Sequence, residues 1–189
     1  NAVDILHMAS TIDQIIRQAT QQLAASSPSP RLDAEVLLMH VTGLARTALI
    51  TRAHEPLPPE HEERLQGLLA RRARGAPVAY LTGKREFWSL ELNVTPDVLI
   101  PRPDTELLVE QALARIPEDA EWTVADLGTG SGAIALAIAT ERPRCHLIAT
   151  DSSPAALVVA RANAARLGIA NVQFRQGEWL KPLAGTRLD

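Results

Sequence analysis

The sequence predicts an α/β chain in two parts: a helical bundle at the N-terminus and, after a β-hairpin linker, the opening strands of a parallel sheet. Three observations carry this reading. Apolar residues recur at spacings of three and four through the first third. They alternate at period two just after Gly83. From Thr123 onward, short apolar strands alternate with alanine-rich helices. That last rhythm implies crossover connections and parallel pairing.

In the first helix Ile12, Ile16, Ala19 and Leu23 share a face, which Ile5 and Ala9 extend upstream. Ser10 with Asp13 has the spacing of a capping box, so the helix is expected to start there. The run Ala24–Pro30 ends it. A second helix carries Ala34, Leu37, Leu38 and Val41 and stops at Gly43, a residue suited to a left-handed cap. A short third segment spans Thr47–Ala53. Pro58 and Pro59 open a fourth helix, with Glu60, Glu62 and Glu63 at its start and Arg71, Arg72 and Arg74 at its end. That order complements the helix dipole. An RNA-binding patch is the competing reading of those arginines.

Beyond Gly83, Phe87 and Trp88 lead into Leu90, Leu92 and Val94. Thr95-Pro96-Asp97 is expected to turn the chain into a second strand, Val98–Ile100, completing a hairpin. Pro101-Arg102-Pro103 stops that strand, and Leu107, Leu108, Gln111 and Ala112 continue as a helix. Then come a strand at Val124–Leu127, a helix at Ala133–Thr140 and a strand at His146–Thr150. A helix at Pro154–Leu167 closes on Gly168, and a third strand covers Val172–Arg175. The expected division is a helical domain at 1–75, a linker at 76–103 and a ligand-binding half-domain at 104–189.

The stretch Asp126-Leu127-Gly128-Thr129-Gly130-Ser131-Gly132 lies between the first strand of the sheet and its helix. Alternate glycines let the main chain approach a ligand, and the helix behind them presents free N–H groups. Asp151 closes the next strand, where a carboxylate can accept both ribose hydroxyls of an adenosine; capping the following helix is its other reading. Gly128, Gly130 and Ala133 also satisfy the dinucleotide pattern, which keeps a nicotinamide dehydrogenase open. Against it, Asp126 stands close to where a pyrophosphate would lie, and like charges repel. A carboxylate there suits a cation, and S-adenosylmethionine carries an ammonium and a sulfonium. Glu178-Trp179 follows the third strand, where an indole can lie on adenine or simply pack.

These residues bring the chain to a family it resembles over nearly its whole length, the release-factor glutamine methyltransferases. The resemblance rests on Ile100-Pro101-Arg102-Pro103-Asp104-Thr105-Glu106, on Asp126–Gly132 and on Arg85-Glu86-Phe87-Trp88. Pro77–Gly83 and Pro30–Glu35 match as well. It implies a helical substrate-recognition domain, a hairpin and a Rossmann-like methyltransferase sheet, of which the first three strands are expected here. It also implies that Gly128, Thr129, Gly130, Ser131 and Gly132 contact the methionine half of S-adenosylmethionine, with Asp126 nearby. Asp151 would hold the ribose and Trp179 the adenine. Arg102, Thr105 and Glu106 would lie near the methyl donor. The implied reaction is methylation of the glutamine amide in the Gly-Gly-Gln loop of peptide chain release factors. Ribosomal-protein glutamine or nucleic-acid amino methylation, and a non-catalytic protein-binding module, are the alternatives. The family's Asn-Pro-Pro-Tyr motif follows a fourth strand that is expected to start near Leu188-Asp189, so no catalytic residue is expected in this chain. In that motif an asparagine oxygen and a backbone carbonyl can accept the two N–H protons of the amide and aim its nitrogen at the methyl group.

The totals narrow the classes further. The chain has 189 residues, 46% hydrophobic, with a net charge of -3, which gives no general attraction to nucleic acid. Its one cysteine, Cys145, excludes an internal disulfide and a multi-cysteine metal centre and fits a reducing, cytoplasmic setting. No apolar run reaches the roughly 18 to 20 residues of a membrane span.

Overall fold

A computed structural model describes residues 10–189, so the expected roles of Ile5 and Ala9 fall outside the described residues. The chain forms two compact units, one up to Thr82 and the other Gly83–Asp189.

In the first unit, α1 (Ile12–Leu23), α2 (Pro30–Thr42), α3 (Arg46–Thr51), α4 (Pro59–Ala73) and α5 (Val78–Thr82) surround one apolar core. Ile15, Leu23, Leu37, Leu38, Leu65 and Leu69 are all buried to within 1% of full enclosure. The cap of α1 lies one residue later than the sequence suggests. Thr11 Oγ1 accepts from the Gln14 amide at 3.4 Å, and Gln14 Oε1 accepts from the Thr11 amide at 2.9 Å. Glutamine is long enough to reach back to the cap, whereas the Asp13 carboxylate pairs with Arg17 at 2.8 Å. Gly43 ends α2 at φ 72°, as a left-handed cap requires.

The dipole reading does not account for Arg72. Its Nε donates to Asp33 Oδ2 at 2.7 Å, tying α4 to α2, and Ser27 Oγ donates to the same oxygen at 2.7 Å. A carboxylate as buried as Asp33 needs such partners. The helical unit also extends past residue 75, into the expected linker. Leu81 of α5 is buried in the helical core, which draws Val78–Thr82 into it.

The second unit opens on a hairpin of β1 (Lys84–Phe87) and β2 (Leu90–Asn93). Here the structure corrects the sequence reading. The turn is Trp88-Ser89, with φ of 51° and 58°, and Val98–Ile100 is not a strand. Two successive positive φ values give a two-residue turn the twist its flanking strands need. Thr95–Val98 forms a separate local turn, closed by Thr95 Oγ1 donating to Asp97 at 2.9 Å and by the Val98 amide on Thr95 O.

Three parallel strands follow, β3 (Thr123–Leu127), β4 (His146–Asp151) and β5 (Val172–Gln176), in the order β3-β4-β5. Helices α6 (Glu106–Leu113), α7 (Ala133–Glu141) and α8 (Pro154–Leu167) pack with them. The central strand is the driest: Leu147, Ile148, Ala149 and Thr150 are at most 1% exposed. Every residue of β3 is half-buried, because among the described residues β4 is its one strand neighbour. On its other side the Asp189 amide donates to Thr123 O at 3.2 Å, and the Thr123 amide to Asp189 Oδ2 at 2.9 Å. This is the Rossmann-like arrangement expected.

Candidate cofactor site

Parallel pairing brings the C-terminal ends of β3 and β4 side by side, with Leu127 opposite Thr150. The chain leaving β3 is folded back onto β4 at once: the Gly128 and Thr129 amides both donate to Thr150 O at 2.9 Å. The Gly130 amide then donates to Asp151 Oδ2 at 2.9 Å, and the Ser153 amide to Asp151 Oδ1 at 2.9 Å. The two readings of Asp151 therefore coexist. It steadies the entry to α8, and each of its oxygens keeps a lone pair for a hydroxyl donor.

Gly132 has φ 86°, and a Cβ there would lie 3.1 Å from Leu136 Cδ1 and 3.3 Å from Ala160 Cβ. The start of α7 is thus packed closely against α8, and a side chain at 132 would have to push its neighbours aside as well as take a left-handed backbone. Thr129 and Ser131 are buried, which leaves their main chain rather than their side chains to meet a ligand. The Thr129 hydroxyl is engaged on Asp126 Oδ2 at 2.6 Å.

Burial pushes the Asp126 carboxyl above its ordinary range. The Thr129 hydroxyl and the Ala135 amide offset part of that rise, and the neighbouring charge of Asp151 adds to it. An acid held in this way is relieved by a cation brought close to it.

Leu127, Gly128, Asp151, Ser152, Gly177, Glu178 and Trp179 line one cavity of about 370 Å³. Trp179 is 75% exposed, so its indole face is free, and its backbone takes φ 49°, an uncommon value for a bulky residue. Gly177 sets up that conformation at φ 153°; a Cβ on it would meet Pro182 Cγ at 2.4 Å.

Of the residues singled out in the sequence, Gly128, Asp151 and Trp179 thus share a cavity, with Gly130 tied directly to Asp151. Arg102, Thr105 and Glu106 do not line it. Pro103–Thr105 is a short 3-10 turn leading into α6. Glu106 lines a different cavity of about 450 Å³ with Glu86, Trp88, Ser89 and Glu141, and its Oε1 accepts the Trp88 amide at 3.0 Å.

One residue escaped the sequence reading altogether. Asn163, fully buried in α8, bonds to both Asn93 and Ser131. The available signal was an asparagine at a core position of a helix otherwise built from Val159, Ala160 and Ala164.

Residues 14–83 match the PrmC N-terminal domain, and residues 118–188 match a methyltransferase domain. A release factor glutamine methyltransferase of Escherichia coli (strain K12) is 54% identical over 170 residues, covering 90% of this chain and 61% of that protein. By sequence, the chain is similar to release factor glutamine methyltransferases over most of its length. A second methyltransferase of that name, from Moorella thermoacetica, is 49% identical over 181 residues, covering 95% of this chain and 64% of the relative. The chain therefore spans about three fifths of the length of these curated relatives. Among solved structures, a ribosomal protein L11 methylase from Lactobacillus delbrueckii subsp. bulgaricus matches at 30% identity and a TM-score of 0.38, over 46% of this chain and 42% of that one. No helix of the described residues is long and apolar enough to cross a membrane.

Proposed function

We propose that the whole protein transfers a methyl group from S-adenosylmethionine to the glutamine side-chain amide of the Gly-Gly-Gln loop in peptide chain release factors, in the cytoplasm. The observation that carries the cofactor half of this reading is the cavity in which an oriented Asp151 carboxylate stands with an exposed Trp179.

The residues present fit S-adenosylmethionine. Asp151 would accept the ribose hydroxyls with its remaining lone pairs, and the Trp179 indole would lie against adenine. The main chain of Gly128–Gly132 would hold the methionine half, where Asp126 would supply negative charge for a cationic ligand. When bound, S-adenosylmethionine supplies an electrophilic methyl group on its sulfonium. The protein's part is to bind, orient and keep water from competing. The likeness to release factor glutamine methyltransferases supports the acceptor, and the helical unit is read as the part that recognises the release factor.

Calorimetry on the chain with S-adenosylmethionine and with NAD tests the cofactor. Tighter binding of S-adenosylmethionine is expected, and tighter binding of NAD would overturn the methyltransferase reading. Mass spectrometry of a release factor incubated with the whole protein tests the acceptor: a 14 Da gain on the Gly-Gly-Gln glutamine is expected, and a methyl group elsewhere would refute it.

A further inference from the structure

Asn163 is 0% exposed, yet its side-chain amide makes three hydrogen bonds to main chain. Its Oδ1 accepts from the Asn93 amide at 2.8 Å. Its Nδ2 donates to Asn93 O at 3.0 Å and to Ser131 O at 2.9 Å. The paired bonds to Asn93 imitate those of a neighbouring strand and anchor the base of the hairpin. The bond to Ser131 holds a carbonyl inside the glycine loop, one residue before Gly132 turns the chain into α7.

The hairpin has a second anchor at its tip. Trp88 Nε1 donates to Glu141 Oε1 at 2.8 Å, and Glu141 ends α7, the helix that starts at the glycine loop. The hairpin thus touches both ends of one unit, the loop through Asn163 and the far end of its helix through Glu141.

We propose that Asn163 is a positioning residue that couples the hairpin to the glycine loop, so that cofactor occupancy is felt at Asn93. The physical reason is that one buried amide serves both. Thr150 O and Asp151 hold the amides of Gly128, Thr129 and Gly130, while Ser131 O is held by Nδ2, so a shift of that carbonyl on ligand binding is passed to Nδ2. Because Nδ2 and Oδ1 belong to one rigid plane, the Asn93 bonds shift with it. Replacing either partner would leave a buried polar group unpaired, which is why the three bonds behave as a set.

The inference rests on the cofactor reading, and its test separates the two. Amide exchange at Asn93 is measured on the 189-residue chain with and without saturating S-adenosylmethionine, with Ile148 in the central strand as internal reference. Exchange at Asn93 should slow about tenfold more than at Ile148. In Asn163→Ala and Asn163→Ser, S-adenosylmethionine should still bind, about tenfold more weakly, while Asn93 no longer responds. Binding to the wild type with no selective response at Asn93 overturns the coupling and leaves the cofactor reading intact. An equal response in the variants overturns Asn163 as its carrier. Failure of the wild type to bind at all defeats the cofactor reading and the coupling with it. Should neither variant fold, the wild-type comparison alone still decides whether the coupling exists.

Discussion

The amide of Gly130 donates to the carboxylate of Asp151 at 2.9 Å, across 21 residues of sequence. The loop after one strand is therefore fixed by the last residue of the next, before any ligand arrives. Removing that carboxylate would loosen the loop and also take away the proposed ribose contact. Asp151→Ala is expected to weaken S-adenosylmethionine about 100-fold, or about 2.7 kcal/mol, by calorimetry. Asp151→Asn should fare little better, because an amide placed at Oδ2 would set N–H against the Gly130 N–H.

Trp179 lets binding and stability be pulled apart. Its indole is exposed and proposed to meet adenine, while its backbone occupies a region that suits glycine. Trp179→Gly should cost about 1 to 3 kcal/mol of cofactor affinity through lost stacking. The same change should leave stability to urea unchanged or higher by about 1 kcal/mol, through relief of the left-handed conformation. Parallel loss of both would show that Trp179 holds the fold instead.

Much of this was legible because the rules involved are local. The period of the apolar residues marked α1, α2, α4 and the three sheet strands, and glycine spacing with a terminal aspartate marked the loop and Asp151. What stayed hidden depends on three-dimensional partners. Trp88-Ser89 carries no glycine or asparagine to announce a turn, whereas Thr95-Pro96-Asp97 has the more conventional turn residues. The Arg72–Asp33 pair spans 39 residues, and Asn163 joins segments 70 and 32 residues away. No spacing rule reaches that far. Glu106 was assigned by likeness alone, and its carboxylate is committed to the Trp88 amide.

Asp126 would give the proposed cofactor site a proton signature. Burial raises its carboxyl above the ordinary 3.8, so the folded chain holds this proton more tightly than the unfolded one. The stability it contributes is complete below pH 3.8 and is lost as pH rises through the higher folded value. A cationic ligand favours the charged form and should release a proton in that window. Calorimetry in two buffers of different ionisation heat should show this release in the wild type and none in Asp126→Asn.

Glu35 should give the opposite sign in the helical unit. Burial pushes its carboxyl up, but hydrogen bonds from Arg31 at 2.9 Å and Arg46 at 2.9 Å outweigh burial and hold it below the ordinary 4.5. Its contribution is present above pH 4.5 and disappears as pH falls through the lower folded value. Both arginines are largely exposed, so water screens the pair and the effect is about 1 kcal/mol. Urea melts followed at α-helical wavelengths should show an acid-dependent loss in the wild type that Glu35→Gln lacks.

The contact between Gly177 and Pro182 makes the order of mutations matter. With 2.4 Å between a would-be Cβ and the proline ring, every single substitution at 177 collides before selection can act on anything else it offers. Pro182→Ala removes the obstructing Cγ and is open as a first step, after which 177 still carries its φ of 153° but no longer the collision. The two orders of change are therefore unequal: 182 can change without disturbing 177, whereas a change at 177 first requires Pro182 or the backbone to shift. Combinatorial libraries built on this cavity should recover variants at 177 preferentially in clones altered at 182.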